Sequence, residues 1–112
     1  MSDCLFCKLI ANAKPGSLLH DDPDVVAFRD IHPQAPTHVL VLPRKHYADL
    51  PSMEGDTALI GKMYAAAIRI AKAEKVDDGF RTVINAGLKG GQTVFHVHMH
   101  VLGGSQMGPK LS

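Results

Sequence analysis

The sequence has few aromatic residues, little net charge and no long apolar segment. Aromatic residues make up 5% and tryptophan is absent, while 46% of residues are hydrophobic, so the core must be mainly aliphatic. Lysine plus arginine number 12 and aspartate plus glutamate 11, and neither sign forms a run, which argues against nucleic-acid or membrane-surface partners. No apolar run is long enough to span a bilayer, and no charged-then-apolar leader follows Met1. From 112 residues we expect one cytoplasmic domain over 1–112.

Three of the seven histidines, His96, His98 and His100, stand at alternate positions with apolar residues between them. This period of two over 93–102 predicts a β-strand with the imidazoles on one face and the apolar side chains toward the core. Histidine changes charge near neutral pH, so the row can act as nucleophile, proton carrier, metal ligand or anion binder. A solvated strand face has little use for three imidazoles, and we interpret the row as functional.

The rest of the chain predicts an α+β fold with a mostly antiparallel five-stranded sheet. A short N-terminal helix is expected over 3–12, and one long helix from an N-cap at Asp56 to about Lys75. Residues 105–112 are expected to form a flexible tail. The four other strands are predicted at 17–20, 25–29, 37–42 and 80–84.

A glycine-rich loop, residues 85–92, leads directly into the histidine stretch. Gly90 and Gly91 can take positive φ and let an anion approach backbone N–H groups, with Asn85, Gln92 and Thr93 as neutral donors nearby. A glycine pair alone usually marks a turn. Beside three histidines it indicates a phosphate site, although neither a P-loop nor a Gly-x-Gly-x-x-Gly motif is present.

The two cysteines, Cys4 and Cys7, are three positions apart. Without a secretory leader this spacing suits metal ligation or redox chemistry better than a structural disulfide. A thioredoxin-like redox site would need a preceding strand, which the sequence does not offer.

Two separated blocks resemble the histidine-triad (HIT) family of nucleotide-binding proteins, and within it the HINT branch. His96-Val-His98-Met-His100-Val-Leu matches the His-x-His-x-His-x-x signature with hydrophobic x, and the blocks 28–38 and 90–104 extend the resemblance over residues 4 to about 107. The resemblance implies an HIT-like fold. It also implies a hydrolase that cleaves the P–N bond of purine nucleoside 5'-phosphoramidates through a covalent nucleotidyl-histidine, without a catalytic cofactor.

The resemblance also implies roles for individual residues. His98 would be the nucleophile, His100 would touch the phosphate oxygens, and His38 would orient the histidine row from the neighbouring strand. Asp30 would bind the ribose hydroxyls, although it also fits a turn, and Phe28 and Ile31 also fit plain core positions. The implied nucleotide-binding residues are Phe28, Asp30, Ile31, Asn85, Gly91, Gln92, Thr93, His98 and His100.

Relatives with a matching cysteine pair hold a structural zinc ion through it and two histidines. The corresponding set here is Cys4, Cys7, His46 and His96, which would make His96 a structural member of the catalytic row. Relatives are homodimers with the long helix at the interface. One departure from the family pattern is Arg29, which is expected to add positive charge beside the base pocket.

Two other functions stay open: a nucleotide-binding interaction protein with incidental turnover, and a dinucleoside-polyphosphate hydrolase. A site in which all three histidines bind one metal is disfavoured, because adjacent residues on one face form a row and the stretch has no carboxylate. His20 and His32 stand beside turn residues and are expected to face solvent without a role.

Overall fold

The sheet of this protein is five-stranded and entirely antiparallel, in the order β1-β2-β3-β5-β4, which confirms the predicted fold class. The computed structural model describes residues 4–109. Two 3-10 turns, Pro51–Asp56 and Leu88–Gly90, accompany the helices and strands. The helices are α1 (Leu5–Ala11) and α2 (Thr57–Ala73), and the strands are β1 (His20–Asp21), β2 (Val25–Arg29), β3 (Thr37–Pro43), β4 (Phe80–Val83) and β5 (Met99–Gly103).

The sheet has two faces, here called the core face and the site face, and the central strand β3 contributes side chains to both. All seven of its residues are buried, as expected for a strand covered on both sides. Because opposed residues of an antiparallel pair project to the same side, the pairs His38↔Leu102 and Leu40↔His100 put both histidines on one face. Val39 and Val101 project from the other face into the main core.

Helix α2 covers the core face of the sheet. Its apolar residues recur at helical spacing, as predicted, and contact the inward valines of the strands. The predicted N-cap, Asp56, immediately precedes the helix but makes no capping hydrogen bond; its carboxylate accepts one from the Tyr47 hydroxyl at 2.7 Å. The buried positions of α2 are Leu59, Met63, Ala66, Ala67, Ile70 and Ala71.

Strand β5 is shorter than the predicted strand over 93–102, and the prediction is wrong for 93–98. The last pair between β3 and β5 is Val41↔Met99. The Val97 N–H instead donates to the Tyr47 carbonyl at 2.8 Å. Val97 and Met99 still enter the core, so the alternation of the sequence survives without the strand.

The 3-10 turn Pro51–Asp56 leads directly into α2. At the end of β5, Gly104 has a φ of +95°, and a Cβ there would lie 2.9 Å from Pro36 Cβ, so only glycine fits without strain. Across residues 4–109, neither helix has both the length and the apolar character that crossing a membrane requires.

Candidate active site and metal centre

One ring nitrogen of His98, Nδ1, is hydrogen-bonded to the backbone, and the described residues give the other, Nε2, no hydrogen-bond partner. Its Nδ1 lies 2.8 Å from the backbone carbonyl oxygen of His96. A carbonyl only accepts, so Nδ1 must carry the proton, and Nε2 of the neutral ring keeps its lone pair. The side chain is buried apart from 7% of its surface, in ring contact with His100 at a centroid distance of 5.2 Å. The arrangement therefore presents Nε2 as a nucleophile.

His100 is held by a hydrogen-bond chain whose direction is fixed by a backbone amide. The Gln34 N–H donates to His38 Nδ1 at 2.9 Å, so His38 must carry its proton on Nε2. His38 Nε2 lies 2.8 Å from His100 Nδ1, which therefore accepts and leaves the His100 proton on Nε2. His100 can donate a hydrogen bond to an anionic oxygen, and the hydrogen bond from His38 in β3 fixes the orientation of its ring.

The environment keeps His100 uncharged at neutral pH. Burial lowers the pKa of His100 to about 4, with further lowering by His98 and His38 and a smaller opposing effect of Asp30. The Asp30 carboxylate lies 3.4 Å from His38 Nε2. Asp30, His38 and His100 are close enough for a metal, but the two imidazoles already share a hydrogen bond between the nitrogens that face each other.

His96 lies beside the two cysteines of the N-terminal segment. Its Nε2 donates to the Pro43 carbonyl at 2.8 Å, so Nδ1 of the neutral ring has a lone pair. Burial lowers the pKa of His96 and favours this ligand form. Nδ1 lies 3.3 Å from Cys4 Sγ, 3.5 Å from Cys7 Sγ and 3.2 Å from His46 Nδ1.

These four side chains have the spacing of a tetrahedral zinc site. Zinc bonds of about 2.3 Å to sulfur and 2.05 Å to nitrogen give S···N edges of about 3.6 Å and N···N edges of about 3.3 Å. The measured S···N distances are 3.3, 3.4 and 3.5 Å and the N···N distance is 3.2 Å. The Cys7 N–H also donates to Cys4 Sγ at 3.3 Å. Burial and the hydrogen bond with Cys4 raise the pKa of the Cys7 thiol, an effect that a bound cation would oppose. The predicted ligands are thus together and suited to a structural metal.

The three predicted nucleoside residues lie at the end of β2, on two sides of a bend. Phe28 is half-buried and lines a mainly apolar cavity of about 270 Å³ together with Leu9 and Leu18. Ile31 is 86% exposed, which excludes a core role for it. Asp30 does make a turn, since one carboxylate oxygen accepts from the His32 N–H at 2.8 Å.

The glycine-rich loop is organised by Gln92, which does not offer its side chain to a ligand. Gln92 is 2% exposed, and its amide donates to the Ala48 and Val94 carbonyls and accepts from the Gly87 N–H. Gly91 has a φ of +86°, the left-handed conformation predicted for this loop. Gly91 and Thr93 are exposed, whereas Asn85 is half-buried and donates to the Gly90 carbonyl at 2.8 Å.

A second cavity, of about 530 Å³, borders the other side of His100. It is lined by His38, Asn85 and Arg81 and by residues 105–108. Arg81 donates to the Gly108 carbonyl, and Met107 is half-buried. Residues 105–109 of the expected flexible tail therefore lie against β4, while 110–112 are outside the described residues.

Two expectations about charged side chains are wrong. The Arg29 guanidinium does not lie beside the base pocket, because successive strand residues point to opposite faces and Arg29 instead binds Glu74 with two hydrogen bonds of 2.8 and 2.9 Å. His20 is not solvent-facing: 8% of its side chain is exposed, and it pairs with Asp22 at 2.7 Å. This hydrogen bond lowers the pKa of Asp22 to about 2. His32 is exposed, as predicted.

Sequence reasoning missed three contacts that organise the site: the Gln34 N–H, the Pro43 carbonyl and the ring of Phe6. The first two are backbone groups, for which residue type carries no signal. Phe6 packs edge-on against His98 with a centroid distance of 5.0 Å. Its position between the two cysteines is the only signal that could have found it.

Comparison with known proteins identifies the family. The model of the HIT domain matches residues 11–107. The chain belongs to the HIT-domain family. It is 42% identical to "Protein HitA" of Neisseria gonorrhoeae over 104 residues, which cover 92% of this chain and 97% of that protein.

Solved HIT structures share the whole architecture. A HIT family hydrolase from Legionella pneumophila Philadelphia 1 is 41% identical with a TM-score of 0.89, covering 96% of this chain and 97% of its own. A zinc-bound histidine triad family protein from Mycobacterium smegmatis is 33% identical with a TM-score of 0.80, covering 99% and 81%. As a HIT protein, this chain has its histidine triad at His96, His98 and His100, and the geometry groups His96 with Cys4, Cys7 and His46 and places His98 beside His100.

Proposed function

We propose that this HIT protein hydrolyses nucleoside 5'-phosphoramidates to a nucleoside monophosphate and an amine, through a covalent nucleotidyl-histidine on His98. The observation that carries the proposal is the hydrogen bond from His98 Nδ1–H to the His96 carbonyl, because it leaves Nε2 free to attack. The hydrolases among its structural relatives support the reaction class.

In the first step, His98 Nε2 attacks the α-phosphorus, and the substrate P–N bond breaks. The electron pair of that bond stays on nitrogen, which takes up a proton and leaves as the amine. In the second step, water attacks the phosphorus, the electron pair of the N–P bond returns to Nε2, and the water gives up a proton. Dividing one difficult displacement into two in this way is the advantage of a covalent route.

His100 assists by stabilising charge rather than by changing its own charge. Its Nε2–H is the free donor at the end of the chain from Gln34 through His38, and it is directed to the phosphoryl oxygens. A preorganised donor of this kind stabilises the charge that develops on those oxygens. Asn85, Gly91 and Thr93 border the phosphate and the leaving amine.

The nucleoside lies between the end of β2 and α1. The base packs on Phe28 in the 270 Å³ cavity, whose mainly apolar lining suits a purine, and the exposed side chain of Ile31 is available to contact it. The Asp30 carboxylate binds the ribose hydroxyls. Leu9 and Leu18 extend the residues assigned to this pocket.

A structural zinc ion is held by Cys4, Cys7, His46 and His96, on the strength of their mutual distances and of the zinc-bound relative. When bound, the ion supplies a cross-link between α1 and the residues around β3, and no part of the chemistry. All four ligands are protein atoms, which is typical of closed structural sites.

The protein forms a homodimer through α2 and the open edge of β4. Tyr64 and Ile68, four residues apart on the outer face of α2, are 41% and 51% exposed, and β4 ends the sheet with one unpaired side. A twofold arrangement would cover both features at once.

Turnover of a fluorogenic adenosine phosphoramidate by wild type and His98→Ala tests the reaction. We expect hydrolysis by the wild type, a nucleotidyl adduct trapped on it by acid quench and found by mass spectrometry, and neither with His98→Ala. His32→Ala, which removes an exposed imidazole, is the matched control and should retain activity.

Equal activity of wild type and His98→Ala would disprove the role of His98. Binding of AMP without turnover would favour a nucleotide-binding interaction protein. Faster cleavage of a dinucleoside polyphosphate than of the phosphoramidate would assign the other hydrolase activity to the same nucleophile.

A further inference from the structure

Phe6 anchors α1 to the rest of the protein. It is the one buried residue of this helix, at 6% exposure, whereas its neighbours Leu5 and Leu9 are 53% and 45% exposed. Its ring enters a small cluster with Val26 and Leu40 on the site face of the sheet. The docking of α1 therefore depends on this side chain more than on any other described residue of the helix.

The ring of Phe6 contacts three aromatic rings that belong to three parts of the proposed site. It lies 5.0 Å from the His98 ring, 6.2 Å from His96 and 6.1 Å from Phe28, at interplanar angles of 82°, 74° and 71°. All three are edge-to-face contacts, the arrangement that aromatic pairs favour. One apolar residue thus joins the nucleophile, the metal cluster and the nucleoside pocket.

We propose that Phe6 is a positioning residue, which holds the His98 imidazole in the orientation and tautomer needed for attack. The proposal rests on the proposed function for its kinetic meaning. The contact geometry that carries it is independent of any substrate.

The imidazole of His98 is confined between two rings and one carbonyl. Phe6 closes one side at 5.0 Å and His100 the other at 5.2 Å, while the His96 carbonyl receives Nδ1–H. Without the Phe6 ring, the imidazole can turn away from this carbonyl. The proton is then free to move to Nε2, and a ring protonated at Nε2 cannot attack through that atom.

The cysteines on either side of Phe6 set the position of its ring. Cys4 Sγ and Cys7 Sγ contact His96 and His46 at 3.3 and 3.4 Å, so both flanks of Phe6 are fixed to the residues before β5 and after β3. The cluster of Cys4, Cys7, His46 and His96 can therefore affect the reaction without taking part in it. It holds Phe6 in place, and Phe6 in turn holds His98.

The test compares Phe6→Leu, which keeps an apolar side chain in the cluster, with Phe6→Tyr, which keeps the ring edge. Leu5→Ala is the matched control, since it shortens an exposed side chain of the same helix. Each variant is measured for kcat, for KM, for AMP affinity by calorimetry, and for the His98 tautomer by long-range ¹H–¹⁵N correlation. Bound zinc and the thermal midpoint are measured alongside.

We expect Phe6→Leu to lower kcat by roughly tenfold, which is what the loss of one aromatic contact near 1.4 kcal/mol gives. AMP affinity should change less than threefold, and His98 should show both tautomers. Phe6→Tyr should restore the wild-type tautomer and most of kcat, and Leu5→Ala should match the wild type.

An unchanged kcat and a single His98 tautomer in Phe6→Leu would overturn the proposal. So would loss of zinc in Phe6→Leu with a fall in kcat equal to that of Cys7→Ser, because the effect would then belong to the cluster. Absence of turnover in the wild type would instead reject the proposed function, and the tautomer comparison would still decide the role of Phe6.

Discussion

His96 and His100 each lie two residues from His98 and have the same side chain, yet their hydrogen bonds use opposite ring nitrogens as donor and acceptor. His96 Nε2–H donates a hydrogen bond to the Pro43 carbonyl, and its unprotonated Nδ1 points toward two cysteines. His100 accepts at Nδ1 from His38 and turns an N–H toward a cavity. The comparison shows that the hydrogen bond at one ring nitrogen decides the chemistry of the other.

The largest expected effect is at the His96 end, where Cys7→Ser removes one zinc ligand. Zinc should fall from one ion per chain to near zero. The free energy of unfolding should fall by about 3 kcal/mol under conditions where free zinc is about 100 times its dissociation constant. Metal analysis and urea unfolding measure these effects.

A chelator is the control for Cys7→Ser: it should lower the thermal midpoint of the wild type and leave that of Cys7→Ser unchanged. A wild type that contains no zinc and ignores the chelator would remove the metal role from His96 and end the contrast between the two histidines.

The substitution His38→Asn, which acts on His100, should lower kcat and leave the zinc content unchanged. The substitution removes the donor to His100 Nδ1, which frees the orientation and the proton position of that ring. Loss of a hydrogen bond in a buried chain costs about 1 to 3 kcal/mol, so we expect kcat to fall roughly tenfold to a hundredfold. Steady-state kinetics and zinc content are compared with His32→Ala. A loss of zinc in His38→Asn would show that the His38–His100 pair and the proposed zinc site depend on each other.

The fold could be predicted because it depends on patterns that residue type carries. Alternation placed Val97, Met99 and Val101 in the core even where no strand forms, and helical spacing gave the buried face of α2. The length of β5 could not be predicted, because the Val97 N–H donates to the Tyr47 carbonyl, which lies outside β3, and residue type carries no signal for such a backbone contact.

The sequence predicted residues that lie together in space, but it did not predict which ring nitrogens carry the protons. The set Cys4, Cys7, His46 and His96 came from the family resemblance and is together in space. The tautomers depend on backbone groups, which residue type does not specify. Gln92 was expected to face a ligand because amides are good donors, but its buried amide instead bonds to the backbone of Gly87, Ala48 and Val94.

The low pKa of His100 predicts a dependence of stability on pH. Its pKa is about 4 in the fold against an ordinary value of 6.5. Between these values the unfolded chain binds more protons, so stability is complete above about pH 6.5 and decreases as the pH falls toward 4. After allowance for partial exposure, we expect about 1 to 2 kcal/mol less stability at pH 4.5 than at pH 7 from this residue.

Urea unfolding of the wild type and of His100→Gln at both pH values isolates the effect of His100. Both proteins contain the zinc ligands, so acid release of metal cancels in the difference between them. An equal loss of stability in the two proteins would mean that the fold does not lower the pKa of His100.

The smallest effect is expected from Arg29→Gln, because Arg29 lies on the face of β2 opposite to the proposed site. Arg29 follows Phe28 in β2 but points to the other face, where its ion pair with Glu74 is more than half exposed on the arginine side. Exposed pairs contribute about 0 to 1 kcal/mol, so the free energy of unfolding should change by less than about 1 kcal/mol, and a cycle with Glu74→Gln measures the pair. KM for the phosphoramidate should stay the same, whereas Phe28→Ala, one residue away on the site face, should raise it. A higher KM in Arg29→Gln would show that the charge of Arg29 acts on the bound nucleotide. The ion pair of Arg29 with Glu74 lies on the other face and could not produce that effect.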